Sequence, residues 1–212
     1  MWKAIIGHPF VRGIGSGALS RDRFEFYLTQ DYAYLVEFGR VIALASAKSD
    51  ELSDMSYFAK LLHATLEVEM DLHRRTCADF GISAEGLERV EPSLITCAYT
   101  NMLVRTCYEG RVTDILAALL PCETGYLEIA DTLKKAGLPT ERHYREWIET
   151  YSSPQFRDFA VWVAAKFDRL TSGAPRFEIE RWYHMYVTSA RFELLFFEMA
   201  WTKESWPTVV PD

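Results

Sequence analysis

The chain has 212 residues, of which 49% are hydrophobic, 25% are charged and 14% are aromatic, a balance typical of a globular protein. Its formal net charge of −7 argues against a nucleic-acid partner, because phosphate binding requires clustered lysine and arginine. The apolar N-terminus is broken by His8 and Pro9, and no uncharged run is long enough to span a bilayer, so we expect a cytoplasmic protein without a signal peptide or membrane anchor.

Helical periodicity predicts an all-α protein from one end of the chain to the other. Ser20, Ser93 and Ser153 are candidate N-caps, and Pro154 follows the last of them at the first helical position. No segment alternates with period two and no linker separates domains, so we expect one domain over residues 1–212. About eight helices, long enough for a bundle, are predicted: a short N-terminal one, then about 20–47, 54–80, 93–110, 113–136, 140–151, 153–173 and 175–202, with a non-helical tail at 203–212.

The cysteines of the chain do not form a disulfide framework. No CxxC pair and no disulfide-dense pattern occurs, so free thiols in a reducing compartment are expected. Three of the four are expected to be small core residues, because free cysteine packs as a hydrophobic side chain. The four positions are Cys77, Cys97, Cys107 and Cys122.

Two acidic residues interrupt apolar helix faces. Asp31 lies between Tyr27 and Tyr34 on the apolar stripe of the second long helix. Glu193 occupies an inward position on the last helix, which is apolar around most of its circumference and is therefore expected to be central or to lie at a subunit interface. A buried carboxylate is costly unless it is paired or hydrogen-bonded. Each acid is therefore either a packing residue bonded to a neighbouring polar group or part of a functional site.

Cys122 directly follows a proline within a predicted helix. Proline in a helix interior removes one hydrogen bond and costs about 3 kcal/mol. The spacing of neighbouring apolar residues places Cys122 inward, with Tyr126 one turn later. A lone inward cysteine is usually a core residue, whereas a proline kink often borders a cavity. The pair Pro121-Cys122 therefore indicates either a packed core position or the wall of a pocket.

One helix face carries residues that can bind metals. Glu69, His73 and Cys77 are spaced by four residues each, so they share a face of the predicted third helix. A zinc site would need further ligands that the sequence does not place nearby, and a di-iron bundle would need carboxylate–histidine motifs on other helices. We therefore expect no metal site.

Four segments together resemble the TenA/thiaminase II family. They are HPF near the N-terminus, SRDRFEFYLTQDYAYL on the second helix, LLPC followed by Tyr126, and FELLFFEMAW on the last helix. The resemblance extends over almost the whole chain in order and spacing. It implies the haem-oxygenase-like all-α fold and hydrolysis of aminopyrimidines in thiamin salvage, or cleavage of thiamin to pyrimidine and thiazole. It also implies a homotetramer that works without a metal or organic cofactor.

The resemblance assigns roles to individual residues. Cys122 corresponds to the nucleophile of the family's PC motif, and Glu193 corresponds to the catalytic glutamate of the last helix. Asp31 corresponds to the aspartate that holds the substrate. The other substrate-binding positions implied by the resemblance are Tyr34, Tyr99, Tyr126, Tyr151 and His73.

These roles imply a covalent mechanism. The thiolate of Cys122 adds to the electron-poor pyrimidine ring and drives the amine or thiazole from the exocyclic methylene, after which water adds and the thiolate leaves. Glu193 shuttles a proton to a ring nitrogen, and Asp31 accepts a hydrogen bond from the exocyclic amino group. Tyrosine rings stack on the flat heterocycle.

One stretch departs from the family pattern. The family often has aromatic residues directly after the cysteine, where residues 123–125 here read Glu-Thr-Gly. The wall of the pocket and the preferred pyrimidine are therefore not predicted.

Two other functions stay open. The same fold also hosts oxidases and oxygenases, but the chain has only five histidines, and this small number argues against such an activity. A regulatory protein that binds a thiamin-related ligand without converting it is the second alternative.

Overall fold

A computed structural model describes residues 1–207, and helices account for nearly all of its regular structure. No strand occurs within these residues, as the all-α prediction requires. In chain order the elements are α1 (Trp2–Ile6), α2 (Pro9–Ser16), α3 (Arg21–Ala47), α4 (Leu52–Ala64), a π-helical segment (Thr65–Glu69), α5 (Met70–Asp79), α6 (Ala84–Glu88), α7 (Leu94–Glu109), α8 (Val112–Ala136), α9 (Arg142–Tyr151), α10 (Pro154–Thr171) and α11 (Arg176–Thr202).

The long helices lie where the periodicity predicts them, and the short ones differ. The N-terminal helix is divided into α1 and α2, and the turn-rich segment before α7 contains the five-residue helix α6. The side chain of Ser83 caps α6 by accepting a hydrogen bond from the backbone N–H of Gly86 at 3.1 Å. Residues 203–207 do not continue α11, and the rest of the predicted tail, 208–212, lies outside the described residues.

Two of the three predicted serine caps form the expected hydrogen bond. Ser93 accepts from the backbone N–H of Thr96, and Ser153 accepts from that of Phe156, each at 3.2 Å. Ser20 occupies the N-cap position of α3, but its side chain makes no capping hydrogen bond. The prediction is therefore correct for the boundary of α3 and wrong for the bond that defines a side-chain cap.

The core lies between α3, α8 and α11, with α2, α7, α9 and α10 packed around them. Its centre is aromatic: Tyr27 is fully buried and contacts the rings of Phe10, Phe24, Trp147 and Phe197. Because these residues come from α2, α3, α9 and α11, the aromatic cluster holds the N-terminal, central and C-terminal parts of the chain together. Of the two positions expected for α11, central or at a subunit interface, the half of the helix from Ser189 to Ala200 occupies the central one.

The N-terminal half of α11 leaves this core and exposes apolar side chains. Phe177, Ile179 and Tyr183 are all more than half exposed. Ile179 and Tyr183 are four residues apart and therefore share one face of the helix, and neighbouring exposed apolar side chains are typical of a surface that contacts another protein. None of the helices in residues 1–207 combines the length and hydropathy needed to cross a bilayer.

A buried ion pair joins α4 to α10. The ammonium group of Lys166 contacts the carboxylate of Asp54, and both residues are buried. Glu51 approaches the same ammonium group at 3.6 Å from the surface. Removing one member of a buried pair leaves the other charge without compensation in a poorly solvated position.

We expect the substitution Lys166→Met to lower the free energy of unfolding by about 3 kcal/mol, because Asp54 would lose its buried partner while the aliphatic volume stays nearly the same. Urea denaturation measures this change. Arg105→Met is the matched control: Arg105 pairs with Glu109 at 2.9 Å, but its side chain is 73% exposed, so its loss should cost less than about 1 kcal/mol. Equal losses in the two variants would contradict the buried-pair interpretation.

Candidate active site

A pocket of about 460 Å³ opens between α3, the π-helical segment, α8, α10 and α11. Seven of the eight residues that the resemblance assigns to the site line this pocket. The eighth, His73, lies directly behind Asp31 and reaches the pocket through that residue. The seven that line it are Asp31, Tyr34, Tyr99, Cys122, Tyr126, Tyr151 and Glu193.

Cys122 presents its thiol to the pocket from the middle of α8. The hydroxyl of Tyr34, on α3, donates a hydrogen bond to its Sγ at 3.7 Å. Burial, followed by the nearby charges of Glu193 and Glu123, raises the pKa of the Cys122 thiol well above its usual value. The thiol is therefore protonated near neutral pH and needs a base before it can act as a nucleophile.

Helix α8 continues through Pro121 without interruption. Side chains bond to two carbonyls of the turn that precedes it: Thr124 donates to the carbonyl of Leu120, and Ser189 donates to that of Ala118, both at 2.6 Å. These bonds add donors to a turn that Pro121 deprives of one N–H. The second of them also ties α11 to α8 beside Cys122.

Glu193 is the buried acid that can exchange a proton with the Cys122 thiol. Tyr99 donates a hydrogen bond to its Oε1 at 2.5 Å, and Ser189 lies 3.0 Å from the same tyrosine hydroxyl. Burial raises the pKa of Glu193 to about 7, although hydrogen bonds from Tyr99 and Cys122 oppose that shift. A carboxyl group with such a pKa, lining the same pocket as a thiol, can accept and return a proton near neutral pH.

Asp31 is held from behind by His73. The Nε2 atom of His73 lies 2.7 Å from Oδ2 of Asp31, and its Nδ1 atom lies 2.9 Å from the backbone carbonyl of Glu69. Both contacts need a proton on the histidine ring, because carboxylate and carbonyl oxygens accept hydrogen bonds. Although burial opposes it, the hydrogen bond and charge of Asp31 raise the pKa of His73. The pair therefore presents an oriented carboxylate to the pocket.

The π-helical segment brings Glu69 to the pocket wall. The hydroxyl of Tyr151 donates a hydrogen bond to Oε1 of Glu69 at 2.9 Å. Burial and the charge of Asp31 raise the pKa of Glu69 to about 7. Single π-helical turns inside α-helices are frequent at functional sites. Glu69 entered the sequence analysis only as a metal-ligand candidate, and no group of three or more metal-binding side chains occurs within residues 1–207.

Comparison with known proteins identifies the family of this chain, because the model of the TENA/THI-4/PQQC family matches residues 1–203. The chain belongs to this family. An aminopyrimidine aminohydrolase of Halalkalibacterium halodurans is 41% identical over 207 residues, covering 97% of this chain and 92% of that protein. A solved structure described as a TenA family transcription regulator from Silicibacter has a TM-score of 0.87 and 33% identity, covering 95% of this chain and 91% of that chain.

The predicted fold class of this TenA family member is also confirmed. A domain from Shewanella denitrificans with a haem-oxygenase-like fold superimposes with a TM-score of 0.75, covering 96% of this chain and 88% of that chain. Its 16% identity limits the comparison to the fold.

The structure explains two of the three residues at which this TenA family member departs from the usual pattern after its cysteine. Gly125 packs against the indole of Trp2, and a Cβ atom at this position would lie 2.7 Å from that ring. The indole N–H of Trp2 donates to Glu128 at 2.6 Å. An aromatic residue at 125 would displace α1, so glycine is required here. Thr124 donates a hydrogen bond to the backbone carbonyl before Pro121, as described above.

Glu123 is the third departure, and sequence analysis did not identify it as a site residue. It is only 2% exposed and lines the pocket beside Cys122. Burial, and then the charges of Glu69 and Glu193, raise the pKa of Glu123 well above its usual value. The sequence feature that could have identified Glu123 is its position directly after the cysteine. Helical spacing alone, however, does not predict that residues 122 and 123 face the same cavity.

Proposed function

We propose that this chain is a hydrolase that converts 4-amino-5-aminomethyl-2-methylpyrimidine to the 5-hydroxymethyl product in thiamin salvage, with thiamin as a second candidate substrate. The observation that carries the proposal is the meeting of Cys122, Glu193 and Asp31 in one pocket. The relative from Halalkalibacterium, an aminopyrimidine aminohydrolase at 41% identity, supports the same reaction. The proposal treats residues 1–212 as one domain that needs no metal or organic cofactor.

The first chemical step is the addition of the thiol to the ring. Glu193, in its ionised form, takes the proton of the Cys122 thiol, and the sulfur forms a bond to an electron-poor ring carbon. Glu193 then passes the proton to a ring nitrogen as negative charge develops there. Tyr34 and Tyr99, which donate hydrogen bonds to the sulfur and to Glu193, hold the two reacting groups in position.

The second stage exchanges the group on the methylene. The bond from carbon to nitrogen breaks, and its electron pair leaves with the amine. Water adds to the exposed methylene and gives one proton to the departing amine. The bond from sulfur to the ring then breaks with its electron pair on sulfur, and the ring nitrogen returns its proton through Glu193 to the thiolate as the ring regains its aromatic electrons. The net change replaces an amino group with a hydroxyl group and returns Cys122 to its thiol form.

Substrate orientation follows from Asp31 and the tyrosine rings. Asp31 accepts a hydrogen bond from the exocyclic amino group of the pyrimidine, and Tyr126 and Tyr151 supply flat aromatic surface. The two tyrosine rings are tilted to each other with centroids 4.8 Å apart. A site that offers a buried acceptor rejects rings that lack the matching donor.

The proposed reaction is tested by incubating the purified protein with the aminomethyl pyrimidine and with thiamin, and measuring the hydroxymethyl product by chromatography. Product formation over many turnovers supports the hydrolase. Tight binding of the pyrimidine without product would instead favour a binding or regulatory protein, the role named for the TenA relative from Silicibacter. Oxygen consumption would point to an oxidase.

We expect Asp31→Asn to raise the KM for the aminomethyl pyrimidine at least about tenfold, with a smaller effect on kcat. An amide keeps the shape but loses the charged acceptor, and hydrogen bonds to charged groups contribute about 1.5–3 kcal/mol. Steady-state kinetics measure the change. Asp71→Asn on α5 is the control, because Asp71 is paired with Arg75 at the surface. An unchanged KM in Asp31→Asn would contradict the orienting role.

The proposal includes a homotetramer in the cytoplasm. The exposed apolar face of α11 formed by Ile179 and Tyr183 supports an assembly, because contact with a further copy would remove these neighbouring side chains from water. The proposal does not require any partner other than further copies of this chain and a small pyrimidine substrate.

A further inference from the structure

Glu123 is a buried acid in the pocket for which the protein provides no partner. Its side chain is 2% exposed and faces the pocket. Within residues 1–207, no backbone or side-chain donor forms a hydrogen bond to its carboxyl group, and the causes that shift its pKa include burial and two negative charges but no hydrogen bond. A buried carboxyl group without a partner is costly, so its presence in a pocket wall points to a partner that arrives with the ligand.

Of the four other acids that line the pocket, Asp158 is exposed to solvent and the remaining three are already engaged. Asp31 bonds to His73, Glu69 bonds to Tyr151, and Glu193 bonds to Tyr99. The cationic side chain among the described residues that line the pocket is Lys60, which is exposed to solvent. Apart from His73 behind Asp31, the carboxyl groups inside the pocket have no cationic partner among the described residues, a distribution that attracts a positively charged ligand.

The position of Glu123 indicates which part of the ligand it meets. Successive residues of an α-helix point about 100° apart, so Cys122 and Glu123 reach the same pocket from adjacent directions. In the proposed function Cys122 faces the ring, Asp31 binds the amino edge, and Glu193 serves the thiol and a ring nitrogen. The substituent on the exocyclic methylene is the part of the substrate that these three residues leave unbound.

We propose that Glu123 binds the positively charged group on the exocyclic methylene, and so favours pyrimidines that carry an ammonium leaving group over those with a neutral substituent. This inference rests on the proposed function. A primary amine on a methylene carries a proton near neutral pH, and an ammonium group forms short, charge-assisted hydrogen bonds with a carboxylate. Glu69 lies close enough to add negative charge at the same place, as its effect on the pKa of Glu123 indicates.

The test compares two ligands that differ only in the group on the exocyclic methylene, which is a cationic ammonium group in one and a neutral hydroxyl group in the other. The aminomethyl pyrimidine is the cationic substrate, and the hydroxymethyl pyrimidine is the neutral product, which acts as a competitive inhibitor. In Glu123→Gln we expect kcat/KM for the amine to fall at least about tenfold, while the inhibition constant of the alcohol stays within about twofold of the wild-type value. Glu128→Gln is the matched control, because Glu128 lies on the same helix, outside the pocket, and is exposed.

Two results would overturn the proposal. One is an equal loss for both ligands in Glu123→Gln, since that would mean a change in pocket shape. The other is no loss for either. The variant is expected to fold, because it removes an unpartnered buried acid, and circular dichroism checks this. If the wild type binds pyrimidines but shows no turnover, the proposed function fails while the charge inference is still tested, through the calorimetric Kd values of the same two compounds.

Discussion

Replacing Cys122 with serine is expected to lower kcat for aminopyrimidine hydrolysis by about a thousandfold or more, while KM changes by no more than a few-fold. A serine hydroxyl is a far weaker nucleophile than a thiol, because its proton is lost only at much higher pH. Serine has nearly the same size and can still accept the hydrogen bond from Tyr34. Binding of the pyrimidine should therefore persist when the covalent step is lost.

Steady-state kinetics and mass spectrometry of a quenched reaction measure this effect, the latter by detecting the covalent adduct on the wild-type enzyme. Cys97→Ser is the control, because Cys97 is half-buried on α7, where its thiol donates to the backbone carbonyl of Pro92 at 3.7 Å, and it does not line the pocket. A Cys122→Ser enzyme with nearly full activity would contradict the nucleophilic role.

Replacing Glu193 with glutamine is expected to lower kcat by about a hundredfold or more, in the range that general acid–base residues contribute. The amide can still accept a hydrogen bond from Tyr99, so the local packing is preserved, but it cannot take the proton of Cys122. Because the thiol has a raised pKa, few molecules of the variant would contain the thiolate near neutral pH.

The pH profile gives the second test of Glu193. Its pKa is raised to about 7 by burial, so below that pH the carboxyl group holds a proton and cannot act as a base. The kcat/KM of the wild type should therefore rise with pH through about 7. The pKa of Glu69 is also raised to about 7, so an acid limb alone does not identify the group.

The variant separates the two acids. If Glu193 is the base, the limb near pH 7 disappears in Glu193→Gln, and if Glu69 causes it, the limb persists at lower activity. Glu180→Gln on the same helix is the control, because Glu180 pairs with Arg176 at the surface and should leave both the rate and the profile unchanged. Persistence of the limb in Glu193→Gln would contradict the assigned role.

Helical periodicity was sufficient to predict the long helices and the inward direction of the main site residues. Asp31 and Glu193 were visible because each is an acid at an apolar position, and both prove to be buried in the pocket wall. The cost of burying a carboxylate makes such a position informative even in a single sequence. The resemblance to the TenA family added Tyr99 and Tyr151, which periodicity alone would class as core aromatic residues.

The features that could not be predicted depend on contacts between distant parts of the chain. Gly125 looks like a weak point in a helix until Trp2, from the N-terminus, is placed against it. Glu123 cannot be recognised as a pocket residue until α10 packs against α8 and the π-helical segment is placed across the same pocket. The π-helical segment itself reads as ordinary helix, since its composition does not distinguish i+5 from i+4 hydrogen bonding.

The π-helical segment also separates the geometry of the bundle from that of the pocket wall. A π-helical turn accommodates one residue more than an α-helical turn, so the extra residue is held in a local bulge and α4 and α5 continue on either side of it. Deleting one residue between 65 and 69 would rejoin α4 and α5 as a regular helix and leave His73 on the face that meets Asp31. The change would be confined to the pocket wall, where the wide turn now places Glu69. A single-codon deletion would therefore alter what the pocket can hold while leaving the fold and the support of Asp31 intact.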